Sequence, residues 1–288
     1  MALFAIVQMS VTLTHTLPMD ENAINKLRFV SYNCHGYNDS KIPFMSQLLQ
    51  QSDFCFIQEH WLANSQLHIL NNIRSTHISH AISGFNDEDI ISGRPYGGCA
   101  ILWRADLDAK VHFVTTNNKR ICSIRVCNDK HKLLLISVYM PYELDSAAAD
   151  EFGSVLADIT AITEQYSDHC FVTGGDFNID FNKHKVHSKL LLDACNVNDL
   201  RLATLHNSCC IDFMYNFNMD RFSFIDHFIV SAAVYELCFD ACTVRHNGDN
   251  LSDHDPVTLS LNIDWSFFLA VHGTTLINVF GIKLAHRI

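Results

Sequence analysis

Basic residues are scarce in this sequence. Only 20 Lys and Arg stand against 31 Asp and Glu, for a formal net charge of −11. That deficit does not favour indiscriminate adhesion to nucleic acid, which relies on clustered cations. It still permits a local basic rim, and carboxylates gathered around a cation add to the same negative total. Low-complexity linkers and internal repeats are absent as well, so nothing visible divides the 288 residues into smaller units. Hydrophobic residues make up 48% and charged residues 18%, which excludes a disordered chain and allows a sizeable core.

Cysteine is plentiful, at eleven, but the paired Cys-x-x-Cys knuckles of structural zinc sites are missing. Cys238, Cys242 and His246 suggest zinc, and they lack those paired knuckles. Cys55 within Phe54-Cys55-Phe56, Cys99 before Ala100-Ile101-Leu102 and Cys170 before Phe171-Val172 read instead as buried free thiols in a reducing compartment. The stretch Met1 to Leu17 has no Lys or Arg and so lacks the basic start of a secretory signal. Residues 1–26 are expected to form a poorly ordered leader. Trp265 to Ile282 carries no charge, but His272, Thr274, Thr275 and Asn278 dilute it, and it is marginal against the ~20 apolar residues of a membrane span. Residues 264–288 are therefore read as an apolar tail, either an added strand or a piece unrelated to the domain, with no stable membrane association. Residues 27–263 hold the domain.

What the chain does have is a series of short β-rich runs. Arg28 to Tyr32, Phe54 to Ile57, Gly98 to Trp103, Val111 to Val114, Ile121 to Val126, Leu133 to Tyr139, Phe171 to Thr173, Phe224 to Val230 and Val257 to Ile263 all read as strands. A helix is expected from Ser146 to Tyr166, where Phe152, Val155, Leu156, Ile159 and Ile162 share one face and Asp145 or Ser146 caps the start. Lys41 to Gln51 and Lys185 to Cys195 are shorter helical candidates. The neighbours Ile121–Val126 and Leu133–Tyr139, joined across Asn128-Asp129-Lys130, imply antiparallel pairing. Many strands with few helices make an α+β protein: two mixed β-sheets packed face to face, with helices outside.

Six polar signatures are each fixed to the end of an apolar run. In order they are Ser31-Tyr32-Asn33, Ile57-Gln58-Glu59, Val138-Tyr139-Met140-Pro141, Gly174-Gly175-Asp176-Phe177-Asn178, Ile225-Asp226-His227 and Leu251-Ser252-Asp253-His254-Asp255. A carboxylate at Glu59, after four apolar residues, is costly unless paired or metal-bound. With Asn33 and Asp253 it offers the oxygen ligands that Mg²⁺ takes. Gly174 and Gly175 permit a sharp turn out of the strand. Beyond them, Asp176 can orient or deprotonate a water and Asn178 can bond a phosphate oxygen, although the same residues also fit an Asx turn. Asp226 can fix the tautomer of His254 and raise its pKa. His254 then serves as a general base or, as imidazolium, as a stabiliser of a pentavalent phosphorane. Tyr139 offers a hydroxyl to the same phosphate.

Together these signatures resemble the endonuclease/exonuclease/phosphatase superfamily, the DNase I-like fold, over roughly Leu27 to Ile263. The phrases Ser31-Tyr32-Asn33-Cys34-His35-Gly36, Gln58-Glu59-His60-Trp61-Leu62, Gly93-Arg94-Pro95-Tyr96-Gly97-Gly98 and Ser137-Val138-Tyr139-Met140-Pro141-Tyr142 are most similar to the apurinic-like endonuclease domain of non-LTR retrotransposons. The resemblance implies a four-layer αββα sandwich and Mg²⁺- or Mn²⁺-dependent nicking of DNA that leaves a 3′-hydroxyl able to prime reverse transcription. It assigns metal binding to Asn33, Glu59 and Asp253. It assigns water and phosphate positioning to Asp176 and Asn178, phosphate contact to Tyr139, and the paired acid–base role to Asp226 and His254. It also implies a DNA substrate, a reverse transcriptase supplied elsewhere and an intracellular, nuclear location. His35 departs from the pattern, because abasic-site repair enzymes usually carry an acidic metal-site residue there. A same-fold phosphodiesterase acting on abasic DNA or a phospholipid, and a catalytically idle captured domain that only binds, are the competing readings.

The tail yields the first test. If the tail is a piece unrelated to the domain, removing residues from Trp265 onward should leave folding and nicking intact in a solubility and plasmid assay. Loss of soluble protein would show that the tail belongs to the fold.

Overall fold

The computed structural model describes residues 26–89, 95–142, 146–183, 186–206, 215–217, 221–244 and 247–263. The expected leader, apart from Lys26, and the expected apolar tail lie outside the described residues. In chain order the elements are β1 (Lys26–Asn33), α1 (Ile42–Gln51), β2 (Phe54–Gln58), β3 (His77–Ile82), β4 (Cys99–Arg104), β5 (Lys110–Val114), β6 (Ile121–Cys127), β7 (Lys132–Tyr139) and α2 (Ser146–Gln165). They continue with β8 (Cys170–Asp176), α3 (Val186–Val197), β9 (Leu200–Leu202), β10 (Tyr215–Phe217), β11 (Arg221–Ser223), β12 (Asp226–Ser231), α4 (Ala232–Tyr235), β13 (Cys238–Thr243) and β14 (Val257–Asn262).

The strands form two six-stranded sheets, ordered β13-β14-β1-β2-β4-β3 and β5-β6-β7-β8-β12-β9, with β10 and β11 as a separate pair. β1 with β2 and β7 with β8 run parallel, and their neighbours pair antiparallel. Both sheets are therefore mixed, as the sequence predicted.

Side-chain alternation sorts the strands into layers. In β1, Leu27 and Phe29 face the opposite sheet, whereas Val30 and Tyr32 face outward. In β7, Leu133 and Leu135 face inward, whereas Leu134, Ile136 and Val138 face outward. The inward residues of both sheets, among them Phe54, Phe56, Ile124, Val172 and Phe228, make one continuous core. Outward residues of the first sheet pack on Phe44, Met45, Leu48 and Leu49 of α1. Those of the second pack on α2 and α3, where Phe152, Val155, Ile159 and Ile162 form the expected apolar stripe. Four layers follow because both faces of each sheet are apolar and need cover.

Several expectations change. Phe224 to Val230 is not one strand: β11 ends at Ser223 and β12 begins at Asp226. Asp145, one of the two expected caps of α2, lies outside the described residues. Gly174 and Gly175 do not make a turn; both lie within β8. Their role is close approach. A Cβ at Gly174 would sit 2.6 Å from the Phe56 ring, and one at Gly175 would sit 2.1 Å from the Val138 carbonyl oxygen. The nine described cysteines are free. Cys242 Sγ meets Thr258 Oγ1 and Cys238 Sγ meets the Val234 carbonyl, while His246 lies outside the described residues. No described helix is long and apolar enough to cross a membrane.

The glycines give a paired test. Gly175→Ala sets a methyl against backbone and should destabilise by about 1–3 kcal/mol in urea unfolding. Gly153→Ala, in α2 with nothing within 4 Å of its added Cβ, should stabilise by roughly 0.4–1 kcal/mol. Equal effects from the two would refute the packing argument.

Candidate active site

The alternation that builds the core also builds the site. Two residues beyond the inward Ser31, Ser137 and Gly174 come Asn33, Tyr139 and Asp176, the last residues of β1, β7 and β8. Asp226 opens β12 directly opposite Asp176 in antiparallel register. Glu59 follows β2 by one residue. One rung below, the core has already turned polar. Gln58 Nε2 donates to Ser137 Oγ across the sheets at 3.0 Å, and Ser137 Oγ donates to the Ile57 carbonyl at 3.1 Å. Carboxylates at the next rung are therefore reached through groups that already hydrogen-bond.

Asn33 is the hub. Its Nδ2 donates to Glu59 Oε1 and to Asp176 Oδ2, both at 3.0 Å, and its Oδ1 accepts from the His35 backbone N–H at 3.1 Å. Asp226 Oδ2 lies 2.8 Å from His254 Nδ1, and His254 Nε2 lies 3.9 Å from Asp176 Oδ2. Asp176 Oδ1 accepts from the Asn178 backbone N–H at 2.9 Å, which is the Asx turn. Asn178 itself, at φ 53, donates its Nδ2 to the Met140 carbonyl at 2.8 Å. Asp253 Oδ1 is 2.6 Å from His35 Nδ1.

Seven of the eight predicted side chains thus belong to one connected group: Asn33, Glu59, Tyr139, Asp176, Asp226, His254 and, through its charge on His254, Asp253. Asn178 joins through its backbone, while its amide turns to Met140. Asp253 sits at the rim against His35.

Burial and mutual charge set the protonation of this group. Burial alone would lower the pKa of His254, but the Asp226 carboxylate, then Asp176, hold it well above the usual histidine range. Burial and the neighbouring Asp226 charge push Asp176 up. Burial, Glu59 and Asp176 keep the Tyr139 phenol protonated. Burial opposes ionisation of Asp253, yet the His35 hydrogen bond brings its carboxyl below the ordinary value.

The donors are carboxylates and an amide, the set a hard divalent cation takes. Asp226 Oδ1 is buried with no hydrogen-bond partner. Asp176, Asp226 and His254 each offer an atom within 4.8 Å of the other two, but His254 already supplies the positive charge there. Glu59 makes no ion pair among the described residues. It is 8% exposed and accepts from the neutral Asn33 amide and, at 3.0 Å, from the Trp61 indole N–H. It is the carboxylate most in need of a cation.

Other residues contribute that the sequence did not single out. Tyr32 donates to Asn250 Oδ1 at 2.8 Å, Asn250 Nδ2 donates to the His254 carbonyl at 2.9 Å, and Ser252 Oγ donates to the Asn33 carbonyl at 2.8 Å. These bonds clamp the Asp253-His254 loop onto β1. The Tyr215 ring packs 4.9 Å from that of His254, and the Arg120 guanidinium lies 5.3 Å from the Tyr139 ring centre. Tyr32 and Ser252 stood inside quoted signatures without a role of their own, Asn250 stood beside one, and Arg120 and Tyr215 carried no advance signal.

Comparison with known sequences is decisive at this point, because the profile of the endonuclease/exonuclease/phosphatase family matches residues 30–254. The chain belongs to that family. The match begins within β1 and ends at His254, so it spans the whole site. No curated protein sequence gives a significant match. Among solved structures, the 3′ phosphatase NExo from Neisseria, bound to a product DNA hairpin, shares the fold at TM-score 0.62 and 18% identity, covering 82% of this chain and 99% of that one. The endonuclease domain of TRAS1, a telomere-specific non-LTR retrotransposon, matches at TM-score 0.62 and 13% identity, with 82% and 98% coverage. The AP endonuclease LMAP from Leishmania major matches at TM-score 0.64 and 12% identity, with 82% and 87% coverage. At these identities the likeness establishes the DNase I-like family fold.

The electrostatics give a test. A histidine whose pKa is raised on folding stabilises the protein fully below its unfolded value of ~6.5 and loses that contribution as pH climbs through the raised one. In the metal-free protein the His254 ring resonance should stay in its charged position between about pH 6 and 8. In Asp226→Asn it should move to the neutral position in that window. A neutral ring in both proteins would contradict the pairing.

Proposed function

We propose that the protein is a divalent-metal-dependent phosphodiesterase acting on DNA as an endonuclease, of the kind carried by non-LTR retrotransposons. The observation that carries this reading is the convergence of Glu59, Tyr139, Asp176, Asp226 and His254 at the shared edge of the two sheets, with Asn33 bonded across them. The family match supports phosphoester hydrolysis. The similar solved structures, an AP endonuclease, a retrotransposon endonuclease domain and a DNA-bound 3′ phosphatase, support DNA as the substrate.

In this reading Glu59 is the principal ligand of Mg²⁺ or Mn²⁺, with Asn33 and Asp253 beside it. Bound there, the cation contributes Lewis-acid polarisation of a phosphate oxygen. The chain's own groups do the rest. Asp176, with its pKa raised, accepts a proton from an attacking water held near Asn178. His254, kept as imidazolium by Asp226, stabilises the charge that develops on the phosphorane instead of acting as the base. The protonated Tyr139 hydroxyl donates to a phosphate oxygen. Cleavage leaves a 3′-hydroxyl, which a reverse transcriptase supplied elsewhere, in the nucleus, would extend.

Supercoiled plasmid with Mg²⁺ tests this directly. The protein should relax the plasmid, a chelator should stop it, and the nick should prime a DNA polymerase. Glu59→Ala and His254→Ala should each lose about 10²-fold or more. Undiminished nicking by either variant overturns the assignment.

A further inference from the structure

Glu59 and Trp61 both adopt left-handed backbone, at φ 53 and φ 58. Neither is glycine, and two such residues two positions apart form a strained segment that persists only where its surroundings fix it. They do so here. The Gly36 N–H donates to the Glu59 carbonyl at 2.7 Å, the Tyr37 N–H to the His60 carbonyl at 3.0 Å, and the Trp61 N–H to the Gly97 carbonyl at 3.1 Å. Between the two strained residues, His60 is fully buried. Its ring nitrogens engage the Ile82 carbonyl and the Leu62 N–H, each at 3.0 Å.

This geometry aims the Trp61 indole. Its Nε1–H donates to Glu59 Oε2 at 3.0 Å, while Asn33 holds Oε1. The ring is clamped from two sides. A Cβ at Gly36 would sit 2.2 Å from Trp61 Cε3, so only glycine admits the indole there, and the His35 ring stands edge-on at 5.0 Å. An indole N–H is a donor without charge and without an acceptor. It fixes one carboxylate oxygen in direction and leaves the negative charge whole. A Lys or Arg in the same place would fix it and neutralise it.

We infer that Trp61 is a positioning residue for Glu59: it holds the carboxylate in the orientation that binds the divalent cation, through a neutral hydrogen bond that the strained 59–61 segment exists to make. The inference rests on the proposed role of Glu59 as principal ligand. Outer hydrogen-bond partners of metal ligands typically change metal affinity about 10–100-fold when removed.

The test measures Mn²⁺ binding to the full chain by electron paramagnetic resonance, without turnover. Trp61→Phe keeps a ring against Gly36 and deletes the N–H. It should weaken Mn²⁺ binding about 10-fold, leave KM for plasmid DNA unchanged and recover kcat at high Mg²⁺. Wild-type affinity in Trp61→Phe, alongside weakened binding in Glu59→Ala, overturns the role of Trp61 and spares Glu59 as ligand. Wild-type affinity in Glu59→Ala removes the ligand assignment and the inference with it. The wild-type protein offers a second readout, the indole N–H resonance of Trp61 during a Mg²⁺ titration. It should shift, and a resonance unmoved at saturating Mg²⁺ overturns the inference.

Discussion

A single side-chain amide joins the two halves of the site. Asn33 closes β1 in one sheet, Asp176 closes β8 in the other, and the Asn33 Nδ2 bonds both Asp176 and Glu59. Without that bridge two buried acids of like charge, from opposing sheets, would face one another. An amide suits the position because it presents two N–H donors to the carboxylates and keeps an oxygen for the His35 backbone. The sheets can pack to the very end of their strands because the last inward residues are polar groups with partners in the opposite layer. Gly174 of β8 matters for the same reason, since its missing side chain lets β8 and its Asp176 approach the opposite sheet at Phe56.

The charge balance follows from this arrangement. Asp226 and Asp176 share the imidazolium of His254, and Asp253 is hydrogen-bonded to His35. Glu59 has neutral donors and no ion-pair partner among the described residues. Lys41, whose charge interacts with Glu59, directs its ammonium to the carbonyls of Cys34 and His35. The site therefore carries a localised deficit of positive charge at one carboxylate instead of a diffuse one.

Period two explains why so much of the site was readable. Each polar signature stands at the C-terminal end of an apolar run or opens the next strand, so the alternation that marked the core continued into Asn33, Tyr139 and Asp176 and pointed them inward. The central strands were legible because they are apolar on both faces. β3 was not: His77-Ile78-Ser79-His80-Ala81-Ile82 is a half-buried edge whose pattern carries no strong period. Gly174 and Gly175 were misread because two glycines after a strand usually mean a turn, and the need for close approach exists only once Gly175 pairs beside Val138 in its own sheet and Gly174 packs on Phe56 of the other. Asn250 was invisible for a related reason, since its partner Tyr32 lies 218 residues away. Trp61 was visible as a letter beside Glu59, but positive φ at a non-glycine residue has no sequence signal, and the bond to Glu59 depends on it.

The acidic total of the chain bears on how DNA would be held. The groove beside Tyr139, about 660 Å³, is lined by Lys119 and Arg120 together with Asp89, Glu151 and Asp158. Arg120 is bonded to Glu151 at 2.7 Å, and Lys119 lies 3.9 Å from Asp89. A phosphate backbone laid along this groove would have to exchange those acids for its own oxygens, so each cation gains little there. Counterion release then contributes less to affinity than on a basic surface. For a nuclease this shifts recognition away from the backbone as a whole. In the proposed reading, discrimination would then concentrate on the one phosphate that meets a cation at Glu59, the Tyr139 hydroxyl and the imidazolium of His254 together.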